Sequence, residues 1–162
     1  MASKDEILDA MRQATADVLR TFGPLAAAQL DCRVHQEEGG WTAKEVLAHL
    51  AAGGVTYERM LQRLVDGQPI FGQVGSLHDR NHQMVAAYVE KDKDDLLAAF
   101  QAGQAALAAK VQALSDDLLA SVVALSPDRQ MPMADLLLMI GGKHASGHAQ
   151  EVEQALAAPA VP

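Results

Sequence analysis

The chain has 162 residues and a mass of 17.2 kDa, which fits one domain large enough to bury a hydrophobic core. Thirty residues are Ala and twenty are Leu, whereas aromatic residues make up only 4%, so the composition favours helices and argues against an all-β fold. The net charge of −8 makes DNA, RNA and anionic membranes poor candidate partners.

The single cysteine and the lack of long apolar runs indicate the compartment. Cys32 has no second cysteine to pair with, so an intramolecular disulfide and a thiolate metal cluster are both excluded. The first residues do not read as a signal peptide, and eighteen uncharged apolar residues never run together. We therefore expect a soluble cytoplasmic protein that does not bind membranes.

The first two predicted helices each begin at a capping box. Ser3 and Glu6 have the spacing of one box and predict a helix over residues 4–21. Thr42 and Glu45 form the second, which predicts a helix to about residue 66. His49 lies on or beside the apolar stripe of that helix.

The second half of the chain predicts two further helices. The apolar spacing after Asp79 favours a long helix through Leu114 with a bend near residues 90–94. A turn over residues 126–128 precedes a last helix from Pro132 to about Ala157, in which His144 and His148 share the face of Ile140.

Four amphipathic helices predict an all-α fold, an antiparallel four-helix bundle. We expect a single domain over residues 1–157, followed by a flexible C-terminal tail over residues 158–162. The order of the helices in space does not follow from periodicity.

The six histidines are the unusual part of the composition. Random placement would give roughly 0.2 pairs at a spacing of four, yet this sequence has two such pairs, His78/His82 and His144/His148. On a helix this spacing puts both imidazoles on one side, close enough to bind one cation. Either pair is therefore a candidate chelate.

Three histidines form the strongest candidate metal site, because His49, His144 and His148 all lie on inward helix faces. In a bundle they can converge as a facial set that leaves coordination positions open for water or substrate. The alternative is three core histidines hydrogen-bonded to backbone or hydroxyl groups. We expect His78 and His82 to be solvated at a helix start, and we assign no role to His35.

Other residues near these histidines have two interpretations. Gly53, Gly141, Gly142 and Gly147 leave either a cavity around the metal or room for close helix packing. Glu151 can orient an imidazole or remain an exposed helix residue, whereas Glu45 already has a capping role. The helices lack the Glu-x-x-His motif of di-iron bundles and the His-Glu-x-x-His motif of zinc proteases.

Two segments resemble the DinB-like/YfiT-like superfamily: WTAKEVLAHL at residues 41–50 and KHASGHAQEV at residues 143–152. The residues 79–81, Asp-Arg-Asn, resemble the family's helix start less specifically. Ala145 departs from the family pattern, which often has an acidic residue there.

The resemblance implies an up-down-down-up bundle that forms a homodimer and binds nickel, zinc or a similar divalent ion through His49, His144 and His148. Relatives include thiol-dependent S-transferases, which use mycothiol, bacillithiol or glutathione, and maleylpyruvate isomerases. Our first hypothesis is a metal-dependent S-transferase that uses a low-molecular-weight thiol on a small electrophile. The alternatives are a metal-dependent hydrolase and a catalytically silent bundle, with a structural metal or none, that binds a small ligand or a protein.

Overall fold

The computed structural model describes residues 1–35, 40–68, 77–126 and 129–158. These residues form eight α-helices, one β-hairpin and one π-turn. The long helices are α1 (Lys4–Phe22), α3 (Ala43–Val65), α4 (Leu77–Tyr88), α5 (Lys93–Ala113) and α8 (His144–Ala157). The short elements are α2 (Ala27–Leu30), α6 (Asp116–Ala120), β1 (Val122–Ser126), β2 (Arg129–Pro132), α7 (Met133–Leu138) and the π-turn (Met139–Lys143).

Both predicted capping boxes are present. The side chain of Ser3 accepts a hydrogen bond from the backbone N–H of Glu6 and the Glu6 carboxylate accepts one from Ser3, so α1 begins as predicted. Thr42 and Glu45 make the same reciprocal pair at the start of α3. Each box satisfies backbone N–H groups that a helix start leaves without partners.

The long third helix of the sequence prediction is two helices, α4 and α5. The predicted bend is a full break, because Asp92 adopts an extended backbone conformation (φ −67°, ψ 155°) that cannot continue a helix. The structure begins α4 at Leu77, ahead of the predicted cap at Asp79, whose side chain lies outside the described residues.

The first and last helices of the bundle run parallel. Ala10 in α1 lies against Gly142 in the π-turn, and further along both helices Thr21 donates a 2.7 Å hydrogen bond to Glu153. Because both contacts move toward higher residue numbers along α1 and along the last part of the bundle, the two helices are parallel.

The two middle helices, α3 and α5, are also parallel to each other. Gly54 lies against Gly103, and about two turns later on both helices the Gln62 side chain lies 3.4 Å from that of Lys110. A Cβ atom added to Gly54 would lie 2.5 Å from the Gly103 Cα, so these two glycines permit the close approach of the helices.

The two parallel pairs run in opposite directions. Lys4 at the start of α1 donates a hydrogen bond to the carbonyl of Leu114 after α5, while Lys93 at the start of α5 donates to the carbonyl of Gly23 after α1. The structure therefore confirms the all-α, up-down-down-up four-helix bundle.

A short hairpin that the sequence did not predict connects α6 to α7. The strands β1 and β2 pair antiparallel, with Val123 opposite Met131, and Val123 is buried whereas Val122 is exposed. The predicted turn falls partly on residues 127–128, which lie outside the described residues. Strands of five and four residues are too short for their alternation to be recognised from sequence.

The predicted last helix consists of α7, the π-turn and α8 in direct succession, and the π-turn changes which residues face the core. The buried stripe includes Leu137 before the turn and Ile140 near its start, and after the turn it consists of Ala145, Ala149 and Val152. The prediction that the paired histidines share the face of Ile140 is therefore wrong. One extra residue in the turn rotates them to the edge of the core.

None of the helices in the described residues is long and apolar enough to cross a membrane. The predicted flexible tail falls on residues 159–162, which lie outside the described residues. The assignment of residues 1–157 to one domain stays a prediction.

Candidate metal centre

The structure brings His49 of α3 together with His144 and His148 of α8. One ring nitrogen from each lies within 4.8 Å of the other two, and the Nε2 atoms of His49 and His144 are 3.3 Å apart. His49 is 4% exposed, whereas the other two rings are half-buried at the edge of the core. Residues 95 positions apart in sequence therefore meet at one point between two helices.

Two imidazole rings are oriented by side chains that contact their Nδ1 atoms, the ring nitrogens that face away from the cluster. The Nδ1 atom of His148 lies 2.7 Å from the Glu151 carboxylate, and the Nδ1 atom of His144 lies 3.2 Å from the Tyr57 hydroxyl. An imidazole whose Nδ1 donates a hydrogen bond presents an unprotonated Nε2. The Glu151 carboxylate can only accept, so it favours the tautomer of His148 in which Nε2 can bind a metal ion, and the Tyr57 hydroxyl can accept the same hydrogen bond from Nδ1 of His144.

Burial keeps the two deepest histidines neutral. Desolvation, followed by the nearby charges of His144 and His148, lowers the pKa of His49 to about 3. Desolvation and His148 lower the pKa of His144 to about 4, against the opposing effect of Glu151. Both rings are therefore unprotonated at neutral pH and need not release a proton to become ligands.

The electrostatics of Glu151 depend on two histidines. Partial burial raises its pKa, but hydrogen bonds and charge from His148 and His35 lower it more, so the carboxylate is ionised. Tyr57 has the opposite balance, because desolvation raises the pKa of its phenol to about 12. At neutral pH an anionic acceptor faces His148 and a neutral hydroxyl faces His144.

The donor set fits a divalent transition-metal ion. Two nitrogens bound about 2.1 Å from one tetrahedral ion lie roughly 3.4 Å apart, close to the separation between His49 and His144. Neutral imidazoles are suitable ligands for zinc and nickel. Nδ1 of His49 is buried without a hydrogen-bond partner among the described residues, so this ring lacks the outer support that the other two have.

An aromatic wall encloses one side of the three histidines. The Trp41 ring is 9% exposed, and its centroid lies 4.8 Å from that of His49, 5.9 Å from that of His35 and 5.7 Å from that of His82. Trp41 therefore precedes the helix start and also covers His49, the most buried candidate ligand.

Two of the remaining histidines make contacts that the sequence did not predict. His35, to which the sequence assigned no role, places Nε2 3.4 Å from Glu151 and forms a second possible ligand group with Glu151 and His148. His82 packs its ring against Trp41 rather than standing in solvent alone. The side chain of His78 lies outside the described residues, so chelation by the His78/His82 pair stays a prediction.

Two of the four glycines near the histidines serve close helix packing. A Cβ added to Gly142 would lie 2.7 Å from the Cβ of Ala10, and one added to Gly141 would lie 3.1 Å from the Met11 side chain. Gly53 has a different neighbour, the Tyr57 ring at 3.2 Å, and Gly147 faces open space. Of the two alternatives, helix packing therefore explains Gly141 and Gly142.

Sequence reasoning missed Tyr57, although its position carries a usable signal. Tyr57 lies eight residues after His49 on the same helix, a spacing that places both on one face. Glu45 is held by the Thr42 backbone and hydroxyl, at 2.7 and 2.9 Å, so it serves the cap as predicted.

Comparisons with known proteins agree with this arrangement. The model of the DinB superfamily matches residues 8–152. The chain is similar in structure to YfiT from Bacillus subtilis, described as a probable metal-dependent hydrolase with an unusual four-helix bundle topology (TM-score 0.76, 19% identity, covering 96% of this chain and 88% of that one).

Two further solved structures share the fold. The mycothiol-dependent maleylpyruvate isomerase superposes with a TM-score of 0.74 at 19% identity, covering 93% of this chain but 61% of the isomerase chain. The colibactin self-resistance protein ClbS, solved in complex with a dsDNA, superposes with a TM-score of 0.78 at 12% identity, covering 99% of both chains. No curated protein sequence matches the chain.

Proposed function

The chain belongs to the DinB superfamily, and we propose that it is a divalent-metal-dependent enzyme acting on a small molecule. His49, His144 and His148 are the proposed ligands, and nickel or zinc is the proposed ion. The observation that carries this proposal is the convergence of three ring nitrogens within 4.8 Å, two of them from His49 and His144, whose lowered pKa values keep both rings neutral.

The protein residues prepare the site in distinct ways. Glu151 orients His148 and Tyr57 orients His144, which leaves Nε2 of each ring free to act as a ligand. Trp41 shields His49 from water. When bound, a divalent ion lowers the pKa of a thiol or a water molecule that coordinates to it.

We assign the reaction to thiol-dependent group transfer onto a small electrophile. The named thiol dependence of the maleylpyruvate isomerase supports this assignment, although the present chain spans only 61% of that protein. In the described residues the possible ligand groups contain no cysteine, so the thiol would be a separate low-molecular-weight molecule rather than Cys32. Three protein ligands leave coordination positions open for it.

Metal-dependent hydrolysis is the second candidate. The description of YfiT as a probable metal-dependent hydrolase favours it, and the same three histidines would serve. The two candidates differ in what occupies the open positions, which is a thiol in one and water in the other.

The test combines metal analysis with a conjugation screen. We expect the purified protein to hold about one equivalent of transition metal and to accelerate conjugation of at least one low-molecular-weight thiol to a small electrophile. His148→Ala should lose both properties. Thiol-independent hydrolysis that depends on His148 would favour the second candidate, and equal rates for wild type and variant would remove both.

A homodimer and a cytoplasmic location complete the proposal. Both are expectations from the resemblance and from composition. Light scattering at micromolar concentration measures the first directly, and a mass near 34 kDa, twice that of the 17.2 kDa chain, is the expected result.

A further inference from the structure

The π-turn stands directly before His144 and sets the placement of both histidines of α8. The backbone N–H of His144 donates to the carbonyl of Met139, five residues earlier, where a regular α-helix would span four. The core stripe accordingly advances from Ile140 to Ala145 rather than to His144. Without the extra residue, the imidazole of His144 would lie in the core stripe.

Gln104 of α5 contacts this turn from the opposite side of the bundle. Its side chain is 8% exposed, and its Nε2 atom donates a buried 3.1 Å hydrogen bond to the carbonyl of Gly141. A π-turn disrupts the regular backbone ladder, so its carbonyl groups need donors from elsewhere. The Gln104 amide supplies one in the middle of the turn.

Packing alone does not account for a glutamine at this position. The Oε1 atom of Gln104 is buried without a hydrogen-bond partner among the described residues, which costs free energy. The neighbouring inward residues of α5, Leu107 and Val111, fill the core with apolar groups. An apolar side chain of similar size at position 104 would avoid the unsatisfied acceptor, but could not bind Gly141.

We infer that Gln104 is a positioning residue that holds the π-turn and thereby places His144 and His148 at the edge of the core. This inference deepens the proposed function and depends on it for the metal-affinity measurement. Gln104 does not approach the metal site itself; it acts through the backbone of residues 139–143.

The experiment replaces Gln104 with an apolar residue of similar volume. Gln104→Met removes the unsatisfied Oε1 atom but leaves the Gly141 carbonyl without its side-chain donor, so one unsatisfied acceptor replaces another and the melting temperature of the metal-free protein should stay within a few degrees. Amide hydrogen exchange over residues 140–145 should become about tenfold faster, while exchange over residues 150–156 stays unchanged. The dissociation constant for zinc should rise about tenfold.

The matched control is Gln101→Met, since Gln101 is an exposed residue of the same helix. It should change neither exchange over residues 140–145 nor the zinc dissociation constant. If Gln104→Met is not folded, Gln104→Leu provides the same comparison with a smaller side chain.

Several results would overturn the inference. An amide exchange rate over residues 140–145 within twofold of the wild-type rate would do so. Unfolding of both Gln104→Met and Gln104→Leu would also do so, because Gln104 would then be needed for stability rather than for the placement of the histidines. Faster exchange with an unchanged zinc dissociation constant would contradict the placement of the ligands. If wild-type protein binds no zinc, the proposed function fails, and hydrogen exchange alone decides whether Gln104 holds the turn.

Discussion

The hydroxyl of Tyr57 lies 3.2 Å from Nδ1 of His144, so a residue of α3 supports a candidate ligand on α8. The contact depends on Gly53, since a side chain there would press against the Tyr57 ring at 3.2 Å. Because the pKa of Tyr57 is raised to about 12, the phenol stays neutral, and its oxygen can accept a hydrogen bond from Nδ1 of His144 when Nε2 of that ring is the metal ligand.

Tyr57→Phe should weaken metal binding about tenfold, because His144 loses the acceptor that favours its ligand tautomer. The fold should tolerate the change, since the ring and its packing remain. Competition with a chelator of known affinity measures the dissociation constant. An affinity equal to that of wild type would show that Tyr57 does not support His144.

Glu151→Ala should raise the metal dissociation constant about tenfold or more, because His148 loses its carboxylate partner at 2.7 Å. Glu151→Gln retains an acceptor oxygen and should have a smaller effect. The control is Glu153→Ala on the same helix, whose carboxylate contacts Arg20 and Thr21 of α1. Equal losses at positions 151 and 153 would contradict a specific role for Glu151.

Alanine substitutions at two glycines should change stability in opposite directions. In Gly54→Ala the new Cβ would lie 2.5 Å from the Cα of Gly103, which is too close for two carbon atoms. The helices must move apart, so we expect a loss of about 1–3 kcal/mol in the free energy of unfolding. Gly147→Ala meets no atom within 4 Å and should gain up to about 1 kcal/mol from helix propensity. Urea unfolding measures both, and a stabilised Gly54→Ala protein would contradict the close packing of α3 on α5.

The metal-free protein should lose stability as the pH falls below about 6.5. The pKa values of His49 and His144 are about 3 and 4 in the folded protein, below the 6.5 of a free imidazole, so the unfolded chain takes up protons first. The free energy of unfolding is therefore unaffected by the titration of these two histidines above pH 6.5. As the pH falls below 6.5, each histidine lowers it by at most about 1.4 kcal/mol per pH unit.

Urea unfolding of chelator-treated protein between pH 7.5 and 5 measures this dependence. Above pH 5 the titration of carboxylates contributes little, so the window isolates the histidines. His49→Leu should reduce the slope, because one of the two buried imidazoles is gone. A free energy of unfolding that is constant across the window would contradict the burial of neutral rings.

The chain should not bind double-stranded DNA at physiological salt, because its net charge is −8. The similarity to ClbS, which was solved with a dsDNA, makes this a necessary measurement. Fluorescence anisotropy with a labelled duplex, compared at 50 and 200 mM salt, provides it. Salt-dependent binding with a micromolar dissociation constant would contradict the prediction from charge.

Local sequence features predicted much of the fold. The capping boxes at Ser3 and Thr42 depend on contacts three residues apart, so their residue types are sufficient to locate the starts of α1 and α3. Helical periodicity placed His49 on an inward face, because the apolar residues that define this face lie three or four positions apart on the same helix. The family resemblance supplied the up-down-down-up order, which periodicity does not contain.

Contacts between distant segments could not be read in this way. His35 approaches Glu151 across 116 positions, and no local pattern relates the two. The π-turn is equally hidden, because the adjacent Gly141 and Gly142 indicate a weakened helix or close packing but not an extra residue, which appears only in the backbone hydrogen bond from His144 to Met139 and in the shifted core stripe. The spacing of His144 and His148 was therefore informative, whereas their expected position in the core stripe was wrong.

X-ray absorption spectroscopy of the protein loaded with one equivalent of zinc determines directly whether the three histidines bind the ion. We expect three imidazole nitrogens at about 2.0–2.1 Å from the zinc ion and at least one ligand that is not an imidazole. His49→Ala should reduce the imidazole count to two. A zinc ion bound by one imidazole or none, or a spectrum that His49→Ala leaves unchanged, would contradict the three-histidine site.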